Sequence, residues 1–317
     1  MFLFCHIPKT AGTSLRVSLE QDTSRVLLND YGVDNQQTSL AILKHQYALP
    51  SAFGKDVEAV RNIEALNALQ PFGIYGHVPV QRYLSLVELD KVVSFVREPI
   101  SRIISEYRHV VRINKYKHDL LTFANQKRLI NSMSKFLNGA PWPMFGFIGL
   151  SEQYTDSLKL INRKYDLHLS ERSENMAPSK SVAQISEQAL EMLNQLNQKD
   201  IKLYNDIAQQ FAWRVRLNDS DPCSSFVHGG YSYNSKSDAL NGFAYVASDD
   251  LKVGIEVRHT SGQSTYMSAD RSFGLGRRFN IKQDGKIGFA MPLKGRSPNE
   301  FSLFVKSTQQ PLPFLSL

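Results

Sequence analysis

Three places in this chain bring together residues able to do chemistry on a charged group. The first is His6-Ile-Pro-Lys-Thr-Ala-Gly-Thr-Ser14. A short apolar run stops at Pro8, Gly12 allows a tight backbone, and Thr13 or Ser14 can cap a helix whose Leu15 and Leu19 share one face. Free amides at a helix start, the positive end of its dipole, two hydroxyls and the Lys9 ammonium would converge there on an anion. The second is His77, directly after Gly76 at the end of a short apolar run. In a parallel sheet the carboxyl ends of the strands line the ligand crevice, so His77 is expected on the same side as the Lys9 loop, where a neutral imidazole can accept a proton. The third is Arg97, at the end of the apolar run Val92 to Val96, with Ser105 about two helical turns further on. Arg97 and Ser105 can reach one face and together suit a phosphate.

The Lys9 string lacks the Gly-x-x-x-x-Gly-Lys-Ser/Thr pattern of nucleotide-binding loops, because its lysine precedes its only glycine. It resembles the 5′-phosphosulfate loop of carbohydrate sulfotransferases of the heparan sulfate 2-O-sulfotransferase type, which use 3′-phosphoadenosine 5′-phosphosulfate (PAPS). The resemblance implies a donor site formed by Pro8, Lys9, Thr10, Ala11, Gly12, Thr13 and Ser14. Lys9 would contact the oxygen bridging sulfur and phosphorus, and Gly12, Thr13 and Ser14 would hold the 5′-phosphate. The family's 3′-phosphate motif is matched by Arg97, Pro99, Arg102, Ser105 and Tyr107, with Glu98 where aspartate is commoner. Similar enzymes carry a Gly-His at the position of Gly76-His77, with the histidine as catalytic base. FIGLSEQYTDSLKLI from Phe147, and Asp200, Leu203 and Tyr204, match further family segments. His6 is a rival base or a structural partner for the loop backbone.

The implied activity is transfer of a sulfuryl group from PAPS to a saccharide hydroxyl, with Lys9 and His77 catalytic. No metal ligands are called for, since no metal-ligand spacing is present. A kinase of the P-loop type would need Gly-Lys-Ser/Thr and a strand-end aspartate for magnesium, neither of which is evident. A nucleotide-sensing or glycan-binding protein without turnover is the non-enzymatic alternative, and the pairing of Lys9 with His77 argues against it. The net charge of +7 favours a polyanionic partner. The excess is nevertheless spread out, with 11 Lys/Arg against 9 Asp/Glu from Asn218 onward and 26 against 21 before it. No basic stripe with interleaved aromatics marks a nucleic-acid binder. Two cysteines, Cys5 and Cys223, make no disulfide framework, and no segment has the apolar length of a membrane span. The expectation is a cytoplasmic protein or the soluble part of a longer chain.

The elements that must position these groups follow from periodicity. Strands are expected over Phe2 to Ile7, Phe72 to Tyr75, Val92 to Val96 and Phe147 to Leu150. Helices are expected over Ser39 to Tyr47, Val57 to Leu69, Ile100 to Val111, Asp119 to Leu137, Ser151 to Tyr165, Ser186 to Leu196 and Asp200 to Leu217. The result is an α/β domain, residues 1–217, with a parallel sheet flanked by helices, which the resemblance implies is P-loop-like. Arg108, Arg112, Lys115, Lys117 and His118 either steer an acidic sugar chain or form a solvated face. Trp142 can stack on a sugar or plug the core, and Asn175 and Lys180 lie in a polar loop that can reach the nucleotide. Asn218 to Ser225 reads as a linker. Beyond it the period becomes two, with Leu251, Val253, Ile255 and Val257 alternating with polar residues, Phe301, Leu303 and Val305 repeating the pattern, and a turn at Asp284-Gly285. Residues 226–317 are therefore expected to form a small β-sandwich. Gly242-Phe243-Ala244, Ala269-Asp270-Arg271 and Gly288-Phe289 resemble a β-module appended to bacterial glycan-modifying enzymes, which implies glycan contact, self-association or a structural role.

Overall fold

The structure is a computed structural model, and it describes residues 1–317 except 23–25, 33–34, 46–65, 67, 172–184, 221–225, 249–250, 282–283 and 316–317. Cys223, Asn175, Lys180 and most of the expected Val57 to Leu69 helix lie outside the described residues. The chain forms two compact units, residues 1–139 with 146–208, and residues 140–145 with 209–317.

In the first unit, apolar runs too short for helices become a five-stranded parallel sheet. Its strands are β1 (Phe2–Cys5), β2 (Leu27–Asp30), β3 (Gly73–Gly76), β4 (Val92–Val96) and β5 (Phe147–Leu150), in the order β2-β3-β1-β4-β5. β3, β4 and β5 are buried at every position, as expected of parallel strands covered on both faces by helices. Helix α1 (Gly12–Asp22) follows β1, α2 is Leu40–His45, and α3 (Pro99–Asn114) follows β4. Pro99 opens α3, and the Glu98 carboxylate accepts from the amides of Ile100 (3.0 Å) and Ser101 (2.7 Å). Glu98 thus serves as the helix cap, a task open to either acidic residue.

The expected helix over Asp119 to Leu137 is two short ones, α4 (Leu120–Ala124) and α5 (Ser132–Phe136). Asn131, in the left-handed region at φ 49°, breaks the path. The buried Asp200 carboxylate then holds the start of α5, accepting from the amides of Met133 (2.9 Å) and Ser134 (2.8 Å) and from the Ser134 hydroxyl (2.6 Å). Helices α6 (Tyr154–Tyr165), α7 (Glu187–Leu196) and α8 (Gln198–Ser220) complete the helical set to Ser220. The division between units falls inside α8, at Ala208/Gln209. Its physical reason is Gln210, which is buried, donates to the Pro311 carbonyl and accepts from Gln310. Asn218, Asp219 and Ser220 are helical, so the first part of the expected linker belongs to α8.

The second unit is antiparallel. One sheet is β10 (Arg271–Ser272), β11 (Lys286–Pro292), β7 (Ala239–Tyr245) and β6 (His228–Asn234), and the other is β12 (Phe301–Val305), β8 (Val253–His259) and β9 (Ser264–Ala269). Alternate residues of both sheets, including Leu240, Phe289, Val253, Ile255, Val257, Leu303 and Val305, share one core, which makes the pair a sandwich. Gly285 adopts φ 62° at the expected turn. Leu251 lies before β8 and is 73% exposed, so the alternation begins at Val253. Residues 140–145 join this unit because the Pro143 carbonyl meets His228 Nδ1 at 2.8 Å and the Met144 carbonyl accepts from the Tyr245 hydroxyl at 3.3 Å. Trp142 is half-buried in the short turn Trp142–Met144. Among the described residues no helix is long and apolar enough to cross a membrane.

Candidate active site

β1 ends at Cys5, two residues earlier than the apolar run suggests, and the chain passes through Pro8 into α1. Lys9 and Ala11 both take positive φ, 70° and 64°. Such left-handed residues are uncommon for side chains other than glycine, and they turn successive peptide units into a concave nest. The loop's carbonyls are engaged on the protein side. The Thr10 hydroxyl donates to Ile7 O (2.8 Å), Arg102 Nη1 to Pro8 O (3.4 Å), Arg97 Nη1 to Lys9 O (3.4 Å) and the Tyr75 hydroxyl to Gly12 O (2.6 Å). Gly12, Thr13 and Ser14 form the first turn of α1, where amides have no intrahelical acceptor. Thr13 and Ser14 therefore lie within the helix and do not precede it as caps, Thr13 exposed and Ser14 half-buried. Thr10 is buried, its hydroxyl proton committed to Ile7.

The Lys9 ammonium is held below its ordinary pKa by burial first, then by the charges of Arg112 and Arg97. Three cations thus repel one another around this loop, and a polyanion would relieve that repulsion. Arg112 belongs to the same α3 face as Ser105 and His109, at spacings of seven and three residues. Burial and then the charges of Lys9 and Arg112 lower the His109 pKa. Ser105 is half-buried on that face. Glu106, the acidic group acting on Lys9, is itself bound by Arg102 (2.8 Å) and Arg128 (2.5 Å). Arg102 is 1% exposed, and its Nε and Nη2 are buried without a hydrogen-bond partner. A guanidinium in that condition beside the loop suits a site whose remaining acceptors come from a bound anion.

His77 is set by the sheet register. Gly76 is opposite both Cys5 of β1 and Asp30 of β2, and a Cβ at Gly76 would lie 1.7 Å from the Asp30 carbonyl oxygen. The next row across the sheet is Tyr31, His77 and His6. Tyr31 and His77 stand ring edge to face at 5.0 Å, and His77 Nε2 is 3.1 Å from His6 Nδ1. His77 is exposed, while surrounding protein atoms lower its pKa below the ordinary histidine value, against the opposing charge of Glu106. A neutral imidazole is thus available at neutral pH. Cys5 is buried, its thiol pushed up to about 12 by burial, and donates to Val78 O (3.1 Å); it belongs to the structure of β1.

The structure brings residues 8–14 and Arg97 to the same carboxyl edge of the sheet as His77, and α3, which carries Ser105, starts two residues after Arg97. Motif reading includes Arg102 in the 3′-phosphate segment and Arg112 among the cations that can steer an acceptor, but it does not reach His109 or Tyr75. The spacing of Ser105 and His109 on α3 carries a signal for His109, whereas the Tyr75 hydroxyl is found only once the strands are ordered.

No curated protein matches the chain. Among solved structures, mouse sulfotransferase SULT7A1 complexed with PAP aligns at 13% identity and a TM-score of 0.34, covering 70% of this chain and 85% of that one. A sulfotransferase from Alicyclobacillus acidocaldarius aligns at 14% identity and a TM-score of 0.30, covering 68% of this chain and 94% of that one. Residues 1–136, which hold the Lys9 loop, His77 and the whole of α3, match the model of the Sulfotransferase family.

Proposed function

We propose that this protein transfers the sulfuryl group of PAPS to a hydroxyl of a saccharide, either an oligosaccharide or a polysaccharide. The observation that carries the reading is the meeting, at one sheet edge, of a nest-like loop with crowded cations and a neutral histidine two strands away from Arg97. In an in-line displacement the acceptor oxygen bonds to sulfur while the bond from sulfur to the bridging oxygen breaks, and negative charge builds on that oxygen. Lys9 supplies the fixed cation there. Residues 8–14 hold the 5′-phosphate, Arg97 and Ser105 hold the 3′-phosphate, and His77 takes the acceptor proton.

The saccharide acceptor is supported by the likeness of His6 to Ser14 and of Phe147 onward to carbohydrate sulfotransferases. The sandwich unit is proposed as an accessory domain for glycan contact or self-association. Thermal shift with 3′-phosphoadenosine 5′-phosphate, the desulfated product, tests the donor assignment. A rise in melting temperature is expected. A response to ATP with magnesium and none to the 3′-phosphorylated nucleotide would favour a phosphoryl-transfer enzyme instead.

A further inference from the structure

His6 Nδ1 and His77 Nε2 lie 3.1 Å apart, with ring centroids 4.4 Å apart and planes at 66°. Facing nitrogens at that distance share one proton, so one ring donates and the other accepts. Were His6 the donor, neutral His77 would carry its proton on Nδ1 and have no lone pair left for an incoming hydroxyl. With His77 as donor through Nε2, its Nδ1 is free.

We propose that His6 is a positioning residue for His77: its Nδ1 accepts the Nε2–H of His77, which leaves the His77 Nδ1 lone pair for the acceptor hydroxyl and steadies the imidazolium formed there. The inference rests on the reading of His77 as the base. In the step, the hydroxyl oxygen bonds to sulfur and its proton goes to His77 Nδ1. The electron pair of the breaking bond to the bridging oxygen stays with the departing phosphate beside Lys9. The Nε2–H remains on His77 throughout.

His6 is held for this role from three sides. Its amide donates to Gly76 O at 2.8 Å, which carries the β1–β3 ladder one residue past the strand end. Its ring occupies the space a side chain at position 12 would need, since a Cβ on Gly12 would lie 2.0 Å from His6 Cδ2 and 2.1 Å from Nε2. Tyr75 packs against it at 5.4 Å. Charged and titratable groups around the pair are Lys9 of the loop, Arg16 of α1, Tyr31 beyond β2, Tyr75 of β3 and Glu106 of α3. Burial and then the neighbouring His77, Arg16 and Lys9 disfavour a charged His6, so it stays a neutral acceptor while the charge resides on His77.

Nitrogen-15 histidine spectra of the full-length protein read the tautomer directly and need no turnover. The Nε2–H form with an unprotonated Nδ1 is expected for His77, and an Nδ1–H form there overturns the inference. His6→Phe keeps the ring against Gly12 and removes the acceptor, while His6→Asn restores an acceptor oxygen near the Nδ1 position. His6→Phe should lower kcat roughly 10- to 100-fold with the donor KM within about threefold, the range for a misplaced general base. His6→Asn should recover most of that loss. An unimpaired His6→Phe, or a His6→Asn no better than His6→Phe, overturns the inference and leaves His77 as base. Retained turnover in His77→Ala instead removes the base reading, and this inference with it.

Discussion

Replacing Arg97 by alanine separates a donor-binding arginine from one that only braces the loop. In the resting protein its Nη1 makes one long hydrogen bond, 3.4 Å, to the Lys9 carbonyl. A neutral-acceptor bond of that length contributes at the low end of about 0.5–1.5 kcal/mol, so the fold should barely notice its loss. Charge-assisted bonds to a phosphate contribute about 1.5–3 kcal/mol, which converts to roughly a 10- to 150-fold weaker affinity. Arg97 also lowers the Lys9 pKa, so the variant should leave the Lys9 ammonium easier to keep charged and offset a little of the deficit. Isothermal titration with 3′-phosphoadenosine 5′-phosphate at fixed ionic strength measures this, with urea unfolding as the control. Lys in place of Arg97 should recover only part of the affinity, because it keeps the charge and loses the planar fork. Affinity within twofold of wild type, at unchanged stability, would show that the 3′-phosphate is bound elsewhere.

Glu98→Ala removes both cap bonds of α3 and should cost about 1–2 kcal/mol in urea unfolding, with Glu98→Asp recovering most of it; no change would mean the cap contributes nothing. His6 and His77 are both held below 6.5 in the folded protein, so each is neutral in either state above that pH, and stability is lost as pH falls below 6.5 because the unfolded chain takes up protons that the folded one resists. The drop in urea midpoint between about pH 7.5 and pH 5.5 should therefore be smaller for His6→Phe than for wild type, and equal drops would contradict the assignment. A chain ended at Leu217 retains the whole parallel sheet and should bind the nucleotide, yet melt at lower temperature, because the Pro143 and Met144 carbonyls lose His228 and Tyr245. An unchanged melting temperature would show that those contacts are dispensable.

The parts of the fold readable from the sequence are those governed by local period and by proline and glycine. The apolar runs Phe2 to Ile7, Phe72 to Tyr75, Val92 to Val96 and Phe147 to Leu150 each hold a strand because each is too short for a helix and too apolar for the surface, although β1 stops at Cys5 and β3 runs from Gly73 to Gly76. The alternation around Val253 to Val257 and Phe301 to Val305 marks the sandwich for the same reason. What escaped depends on residues far apart in the chain. The Asp119 to Leu137 helix breaks because a left-handed Asn131 is followed by a cap from Asp200, 66 residues after Ser134. The division of the two units inside α8 follows from Gln210, which finds its partners at Gln310 and Pro311, a hundred residues on. Arg97 and His77 directly follow β4 and β3, and Lys9 lies in the loop after β1, as local period and Pro8 suggest, while the pairing of His6 with His77 requires β1 and β3 to be neighbours. Thr10 shows the limit of reading hydroxyls from a loop's composition, since its proton is used by Ile7.

Transfer of label from PAPS carrying sulfur-35 to a panel of bacterial and animal glycans tests the central claim most directly. Wild-type protein should move the label onto at least one hydroxyl-bearing glycan, His77→Ala should reduce the rate by roughly 10²- to 10⁴-fold with nucleotide affinity within about threefold, and Lys9→Ala should impair both transfer and donor binding. Label that stays on the donor with every glycan, while the same protein moves the γ-phosphate of ATP, would contradict it.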